Sequence, residues 1–168
     1  MGVLVLLSFF VISAYTTAVC IKQKGVPYSI SATFYKLKHP YWFMATMWLT
    51  AGLLMYPVLE TSKAGTEGWA FAACAGMFLV GVAPNFKDRT EGIVHDIGAG
   101  LCLAGSQVWV ALNQPWILFI WAAYVVYTVV VMLRRVSDSI ISDFIRTRPM
   151  FWIEITAIMS VYITIMVK

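Results

Sequence analysis

The sequence predicts an all-α protein, a single polytopic membrane bundle of six transmembrane helices that takes in residues 1–168. Hydrophobic residues make up 61% of the chain and charged residues only 12%, about half the charged share of an ordinary soluble domain. The mean hydropathy is +0.80. The apolar residues fall into six separate runs, and no polar segment is long enough to form a second, water-soluble domain.

Each of the six runs approaches the length of about 20 residues that a helix needs to cross a bilayer. The predicted helices, numbered 1 to 6 in chain order, cover residues 2–20, 40–59, 68–85, 92–112, 115–133 and 150–167. The first run lacks a preceding basic segment and is long for a signal peptide, so it predicts a retained helix. Tryptophans near several predicted ends are typical of the aromatic belt at lipid headgroups: Trp42, Trp69, Trp109, Trp116 and Trp152.

Five polar connections separate these helices. They are loop 1 (21–39), loop 2 (60–67), loop 3 (86–91), loop 4 (113–114) and loop 5 (134–149). Loop 4 is two residues followed by Pro115, which predicts that helices 4 and 5 form an antiparallel hairpin. Loop 5 is open to three interpretations: a solvated turn, an extension of helix 5, or a short amphipathic helix on the membrane with Val136 and Ile140 on its apolar face.

The basic residues are distributed unequally between the two sides of the predicted bundle. Loops 1, 3 and 5 carry ten lysines and arginines, whereas the other side carries only Lys63 and Lys168. The positive-inside rule predicts that loops 1, 3 and 5 are cytoplasmic and that both termini lie outside. A net charge of +4 in short loops indicates topology and predicts no nucleic-acid partner. The short loops favour the inner membrane of a bacterium.

Small residues recur at spacings that let two helices approach closely. Such stripes replace bulky side chains with backbone contacts in membrane bundles. Helices 3 and 4, joined by a short loop, are therefore predicted to pack tightly through Ala72, Gly76, Gly98, Ala99, Gly100 and Gly105.

Ionisable residues at the edge of the bilayer are costly, and they are the first candidates for function. His95 and Asp96 stand at the predicted start of helix 4, and Glu154 stands in the predicted first turn of helix 6. His95 is expected either to be buried between helices or to bind a lipid headgroup. Asp96 and Glu154 suit caps of their helix starts, because negative charge is favourable there. Glu154 has the alternative of pairing with Lys87, Arg148 or His95.

Catalytic chemistry has weak support in the sequence. A zinc hydrolase needs about three protein ligands, but the chain has only two histidines, so no metal and no cofactor are predicted. A triad from Ser29 or Ser31, His95 and an acid is formally available, but no nucleophile-elbow motif accompanies it. The three cysteines have no metal-binding spacing and are interpreted as packing residues.

Two stretches resemble the DRAM/Frag/Sfk-like family of six-helix membrane proteins and its uncharacterised bacterial relatives. In "PNFKDRTEGIVHDIGAGLCLAGS" the family's Asn-Phe pair and its His-x-x-Gly-Ala motif have parallels in Asn85, Phe86, His95, Gly98 and Ala99. In "VPYSISATFYKLKHPYWFMA" the parallels are Pro27, Tyr28, Ile30, Ser31, Pro40 and Phe43. The resemblance implies a compact six-helix bundle concerned with membrane lipid, without accepted catalytic residues.

The chain departs from that family's pattern at two points and in its charge. Ala32 stands where the family has aspartate, and Ser29 is an extra residue inside the motif. The family's usual orientation, with the amino terminus inside, is also the reverse of the one that this chain's charge distribution predicts.

The leading functional hypothesis is a small integral membrane protein that binds or modulates membrane lipid through a polar pocket at one membrane face. The candidate pocket residues are His95, Asn85, Ser31, Glu154 and Tyr28. The alternative is a lipid-remodelling enzyme that uses the same residues, with His95 as acid and base. A small transporter or channel is less favoured, because the middles of the predicted helices carry no charge. The sequence leaves the oligomeric state open.

Overall fold

The computed structural model describes residues 1–134 and 139–168, and within them every regular element is helical. The α-helices are α1 (Gly2–Lys22), α2 (Tyr41–Glu60), α3 (Glu67–Val82), α4 (Arg89–Asn113), α5 (Ile120–Leu133), α6 (Ile140–Arg146) and α7 (Pro149–Met166). Two 3-10 helices, Ser31–Lys36 and Pro115–Phe119, precede α2 and α5. The predicted all-α fold is confirmed. Arg135 and Val136, which entered the predictions for loop 5, lie outside the described residues.

Five helical segments in the described chain are long and apolar enough to cross a membrane. They are α1, α2, α4, Pro115–Leu133 and α7. The number, length and composition of these helices are those of a membrane protein. The remaining apolar helix, α3, has only 16 residues, or about 24 Å at 1.5 Å per residue, which is shorter than the hydrocarbon core of about 30 Å. Five spans, and not the predicted six, meet the length criterion.

The turn between α3 and α4 lies earlier in the chain than predicted. Helix α3 ends at Val82 and not at residue 85, because Pro84 disfavours the helical conformation of the preceding Ala83. Helix α4 begins at Arg89, where the carboxylate of Asp88 accepts hydrogen bonds from the amides of Thr90 and Glu91. Asp88 is therefore the cap. Asp96, predicted for that role, is exposed and lies beyond the first turn of the helix.

Helix α3 lies between α2 and α4, and its contact with α4 is the most extensive in the bundle. Three glycines lie in this contact. A Cβ at Gly76 would lie 2.4 Å from the amide nitrogen of Cys102, one at Gly98 would lie 2.9 Å from the carbonyl oxygen of Gly76, and one at Gly105 would lie 2.9 Å from the amide nitrogen of Ala73. Gly100 is exposed, and a Cβ there would meet no atom within 4 Å, which corrects the packing role predicted for it.

The other helices attach to this central pair. Helix α1 packs against α2, α7 packs against α4, and α5 packs mainly against α7. Deep in the bundle, the Ser8 hydroxyl donates to the carbonyl oxygen of Thr50 at 3.0 Å and lies 2.7 Å from the hydroxyl of Tyr162. This pair of contacts joins α1, α2 and α7 where no water is available to satisfy polar groups.

The connections lie on two opposite faces of the bundle. The face that we call the basic face is formed by residues 23–40, the turn 83–88 and α6. There the amide of Phe151 donates to the carbonyl oxygen of Tyr28 at 3.1 Å, which holds the long first connection against the start of α7. Residues 61–66, Gln114 and the carboxyl-terminal Lys168 lie on the opposite face.

Candidate functional site

A cavity of about 170 Å³ lies among α2, α3, α4 and α7. The four helices turn small side chains toward it: Ala51, Ala70, Ala73, Ala99 and Ala157. Because these alanines are too short to meet one another across the bundle, a space remains where larger residues would have filled the core. The cavity is thus a property of the four helices together.

The lining is almost entirely apolar. Among the described lining residues, only Ser31, Ser106 and Glu154 carry a side-chain oxygen. Ser106 is engaged within the protein, since its hydroxyl donates to the carbonyl oxygen of Leu103 at 3.0 Å and accepts from the side-chain Nε2 of Gln107 at 3.1 Å. The pocket predicted from the sequence was polar, whereas this one is apolar with a polar end.

Glu154 and Ser31 form that polar end. The backbone amide of Ile30 donates to Oε2 of Glu154 at 2.5 Å, and the Ser31 hydroxyl lies 3.5 Å from Oε1. Because Pro149 is the first residue of α7, Glu154 stands in the second turn. Glu154 is therefore neither the predicted first-turn cap nor a partner of Lys87, Arg148 or His95. It binds the start of the 3-10 helix Ser31–Lys36.

The segment 28–36 closes the cavity at the basic face. Its Ile30 and Ser31 line the cavity, and the hydroxyl of Thr33 lies 2.5 Å from that of Tyr15 on α1. Tyr35 extends away from the cavity, where its hydroxyl donates to Oδ1 of Asn85 at 3.1 Å and accepts from the amide of Lys87 at 2.8 Å. The segment is thereby tied to α1, to α7 and to the turn between α3 and α4.

Asn85 belongs to this turn and His95, on α4, packs against it, and neither residue lines the cavity. His95 is buried, its Nδ1 lies 2.9 Å from the carbonyl oxygen of Ala83, and its ring packs against Phe86 with centroids 5.0 Å apart. The amide of Asn85 donates to Glu91 at 3.1 Å. The Tyr28 side chain is half exposed, and only its backbone reaches α7. Of the five predicted pocket residues, the structure brings Ser31 and Glu154 together and places the other three elsewhere.

Asn113 is a polar centre that the sequence reasoning missed. Only 1% of Asn113 is exposed. Its Oδ1 accepts from the amide of Lys63 at 2.8 Å and from Nζ of Lys168 at 2.7 Å, and its Nδ2 donates to the hydroxyl of Thr66 at 3.1 Å. The residue thus joins the end of α4 to the second connection and to the carboxyl terminus. Its place in a predicted two-residue loop concealed this role.

The two lysines beside Asn113 meet the ends of helices. Nζ of Lys63 donates to the carbonyl oxygen of Leu112 at 2.9 Å, and Nζ of Lys168 donates to the carbonyl oxygen of Thr61. Cations are favourable at helix carboxyl termini, where carbonyl groups lack helical partners. Partial burial lowers the pKa of the Lys168 ammonium, and the neighbouring charge of Lys63 lowers it further.

Gln107 is a second polar residue that the sequence reasoning missed, because it carries no charge. Its Nε2 donates to the Ser160 hydroxyl at 3.1 Å, and its Oε1 accepts from the indole nitrogen of Trp121 at 2.9 Å. These bonds link α4 to α7 and α5 near the middle of the bundle. The only sign of Gln107 in the sequence was a neutral amide side chain within an apolar run, which is also what an ordinary surface residue of a helix would show.

No three His, Cys, Asp or Glu side chains come together in a metal-binding arrangement within residues 1–134 and 139–168. Comparison with models of known protein families, with curated proteins and with solved structures found no match. The resemblance to the DRAM/Frag/Sfk-like family therefore stays a prediction.

Proposed function

We propose that this protein binds the apolar part of a membrane lipid in the cavity among α2, α3, α4 and α7, with Glu154 and Ser31 at its polar end. The observation that supports this is a space of about 170 Å³ that apolar side chains line almost completely. Ligand sites of this kind combine an apolar wall with a few polar groups that fix orientation. The proposal keeps the predicted lipid partner and changes the part of the lipid that is bound.

The size of the cavity limits what enters. An engineered apolar cavity of about 150 Å³ holds one benzene molecule. A space of about 170 Å³ therefore admits a small ring or a few carbons of a chain. A whole phospholipid is too large, so we propose that one apolar group enters while the rest of the molecule stays outside.

We propose that the ligand enters from the side. Leu103 on α4 and Met150 on α7 both line the cavity, and they are 38% and 43% exposed. Their exposed surfaces lie on membrane-spanning helices, where the surroundings are lipid. A lipid chain would thus pass between α4 and α7 without crossing water.

Binding is favoured over the alternative of a lipid-remodelling enzyme. That alternative assigned acid and base chemistry to His95. The His95 ring is buried against Ala83 and Phe86, and it is not part of the cavity wall. A proton-transfer group must come within hydrogen-bond reach of its substrate, and His95 has no such access to a molecule in the cavity.

We further propose that α3 is the sixth span and that the basic face is cytoplasmic, in the inner membrane of a bacterium. Helix α3 lies between two longer spans, α2 and α4, and its neighbours therefore shield its short apolar length from a mismatch with lipid. Lysines and arginines collect on the basic face, whereas Lys63 and Lys168 on the other face bind helix carbonyls. The positive-inside rule supports this orientation.

Cysteine labelling of intact cells tests the orientation. In a background with Cys20, Cys74 and Cys102 changed to serine, the exposed Ala64 and Lys36 are replaced singly with cysteine. A membrane-impermeant maleimide is expected to label Ala64→Cys in intact cells and Lys36→Cys only after lysis. Labelling of Lys36→Cys alone in intact cells would reverse the orientation, as the family resemblance implies.

Filling the cavity tests the lipid-binding proposal. Ala157 lines the cavity and is 5% exposed, whereas Ala123 on α5 is exposed. Ala157→Phe puts a ring into the space, so lipid retained through purification is expected to fall about tenfold by mass spectrometry, with a loss of roughly 1.4 kcal/mol in binding. Ala123→Phe adds the same ring outside and is expected to retain lipid as the wild type does.

Ala99→Leu is a second, milder filling of the same cavity. It covers the case in which Ala157→Phe fails to fold. If folded Ala157→Phe and Ala99→Leu proteins both retain the wild-type amount of the same lipid, the proposed site is wrong.

A further inference from the structure

We infer that the ligand carries a protonated amine next to its apolar group and that this amine pairs with the carboxylate of Glu154. The inference rests on the proposed function, because it uses the same cavity. It adds the chemical class of the ligand, which an apolar wall by itself does not specify.

The partners of Glu154 in the described protein are uncharged. Its carboxylate interacts only with uncharged donors: the amide of Ile30 at 2.5 Å, the hydroxyl of Ser31 at 3.5 Å and the amide of Ser31. No lysine, arginine or histidine of the described chain forms an ion pair with it. A carboxylate among apolar groups is costly unless it takes up a proton or an opposite charge compensates it. The countercharge is therefore missing from the described part of the protein, and a ligand can supply it.

The two carboxylate oxygens of Glu154 are bound to different degrees. Oε2 is held by a short bond to the Ile30 amide, whereas the contact of Oε1 with Ser31 is at the limit of a hydrogen bond. Oε1 thus has room for a stronger donor. A hydroxyl on a ligand would fill this place without supplying charge, and a phosphate or carboxylate would be repelled. An ammonium group supplies both a donor and the charge.

The surroundings of the cavity favour a ligand that approaches Glu154 from the bilayer. The nearby basic residues lie at the surface of the basic face, and Nζ of Lys87 is held 4.5 Å from the ring centre of Tyr35. They disfavour a cation that arrives from the water on that side. The exposed Leu103 and Met150 offer a path from the bilayer instead. An amine on an apolar chain suits this path, because its chain partitions into lipid and brings the charged end to Glu154.

Three probes that share a six-carbon chain separate the contributions of charge, hydrogen bonding and apolar contact to binding. Hexylamine, hexan-1-ol and hexane are each titrated against purified protein in detergent, and native mass spectrometry measures how each displaces the retained lipid. In the wild type, hexylamine is expected to bind about tenfold or more tightly than hexane, with hexan-1-ol between them, because a hydrogen bond to a charged group is worth more than a neutral one. In Glu154→Gln, the preference for hexylamine over hexan-1-ol is expected to disappear.

Glu91→Gln is the matched control. Glu91 is a carboxylate of the same face that accepts from the amide of Asn85 and does not line the cavity. It is expected to keep the wild-type preference for hexylamine, and loss of that preference would overturn the assignment to Glu154. Equal binding of the three probes to the wild type would overturn the amine while leaving the proposed function intact. Failure of every probe to displace lipid would overturn both. The comparison of the three probes on the wild-type protein tests the amine even if Glu154→Gln does not fold.

Discussion

Replacing Gly76 with alanine is expected to lower the free energy of unfolding by about 3 kcal/mol, at the upper end of the usual cost of overpacking. The added methyl carbon would lie 2.4 Å from the amide nitrogen of Cys102 and 2.5 Å from the carbonyl oxygen of Gly98. Both are backbone atoms of α4, so no side chain can turn aside to make room. Helices α3 and α4 would have to separate, and that would disturb the cavity that they share with α2 and α7.

Gly100→Ala is the control for this change. Gly100 lies on α4 and is exposed, with no atom within 4 Å of an added Cβ. Its alanine variant is expected to be as stable as the wild type or more stable by up to about 1 kcal/mol, because alanine is favoured over glycine in a helix interior. Unfolding by sodium dodecyl sulfate in mixed micelles measures both variants. Equal stability of Gly76→Ala and Gly100→Ala would contradict the close contact between α3 and α4.

The second large effect is expected at Asn113. Asn113→Leu is close in size but removes the acceptor of the Lys63 amide and the Lys168 ammonium, together with the donor to Thr66. Because these partners lie at a site where Asn113 is 1% exposed, their loss is expected to cost about 2 to 3 kcal/mol. The same unfolding titration measures it, and proteolysis near residues 61–66 is expected to become faster.

The neighbouring residue provides the comparison. Gln114 is half-buried, and its side chain accepts only from the indole nitrogen of Trp116 at 3.0 Å, in an exposed position. Gln114→Ala is expected to change the free energy of unfolding by no more than about 0.5 kcal/mol. A loss in Asn113→Leu no greater than that in Gln114→Ala would show that the polar centre contributes little.

The helical fold could be predicted from the sequence because each long helix corresponds to one contiguous run of apolar residues. The boundaries depended on finer signals. Hydropathy alone predicted that the third helix ends at residue 85 and that the fourth begins at residue 92. Pro84 ends α3 earlier, at Val82, and the Asp88 cap starts α4 earlier, at Arg89. The small residues of α3 and α4 predicted a close contact, but only the rotation of α4 about its axis decides that Gly98 faces α3 and Gly100 does not.

The candidate site was only partly predictable, since it depends on which helices are neighbours. Glu154 and Ser31 were predicted because an ionisable residue at a membrane boundary is costly and because Ser31 belongs to a recognised motif. The cavity was not found, because its alanines come from four different helices and each one resembles ordinary packing. His95 was the leading site candidate in the sequence, yet its Nδ1 lies 2.9 Å from the carbonyl oxygen of Ala83 and its ring is not part of the cavity wall. Charged residues can be identified as site candidates from the sequence, but the cavity that distinguishes among them forms only when the helices pack.

Helix α5 packs only lightly against the rest of the molecule. Thr128 is the one residue of α5 that is buried, and Trp121 supplies the hydrogen bond to Gln107. Most outward-facing positions of α5 need only an apolar side chain, because they face lipid and not neighbouring side chains. Over evolutionary time this helix should therefore exchange valine, isoleucine and leucine freely and diverge faster than α3, whose order of residues is dictated by α2 and α4.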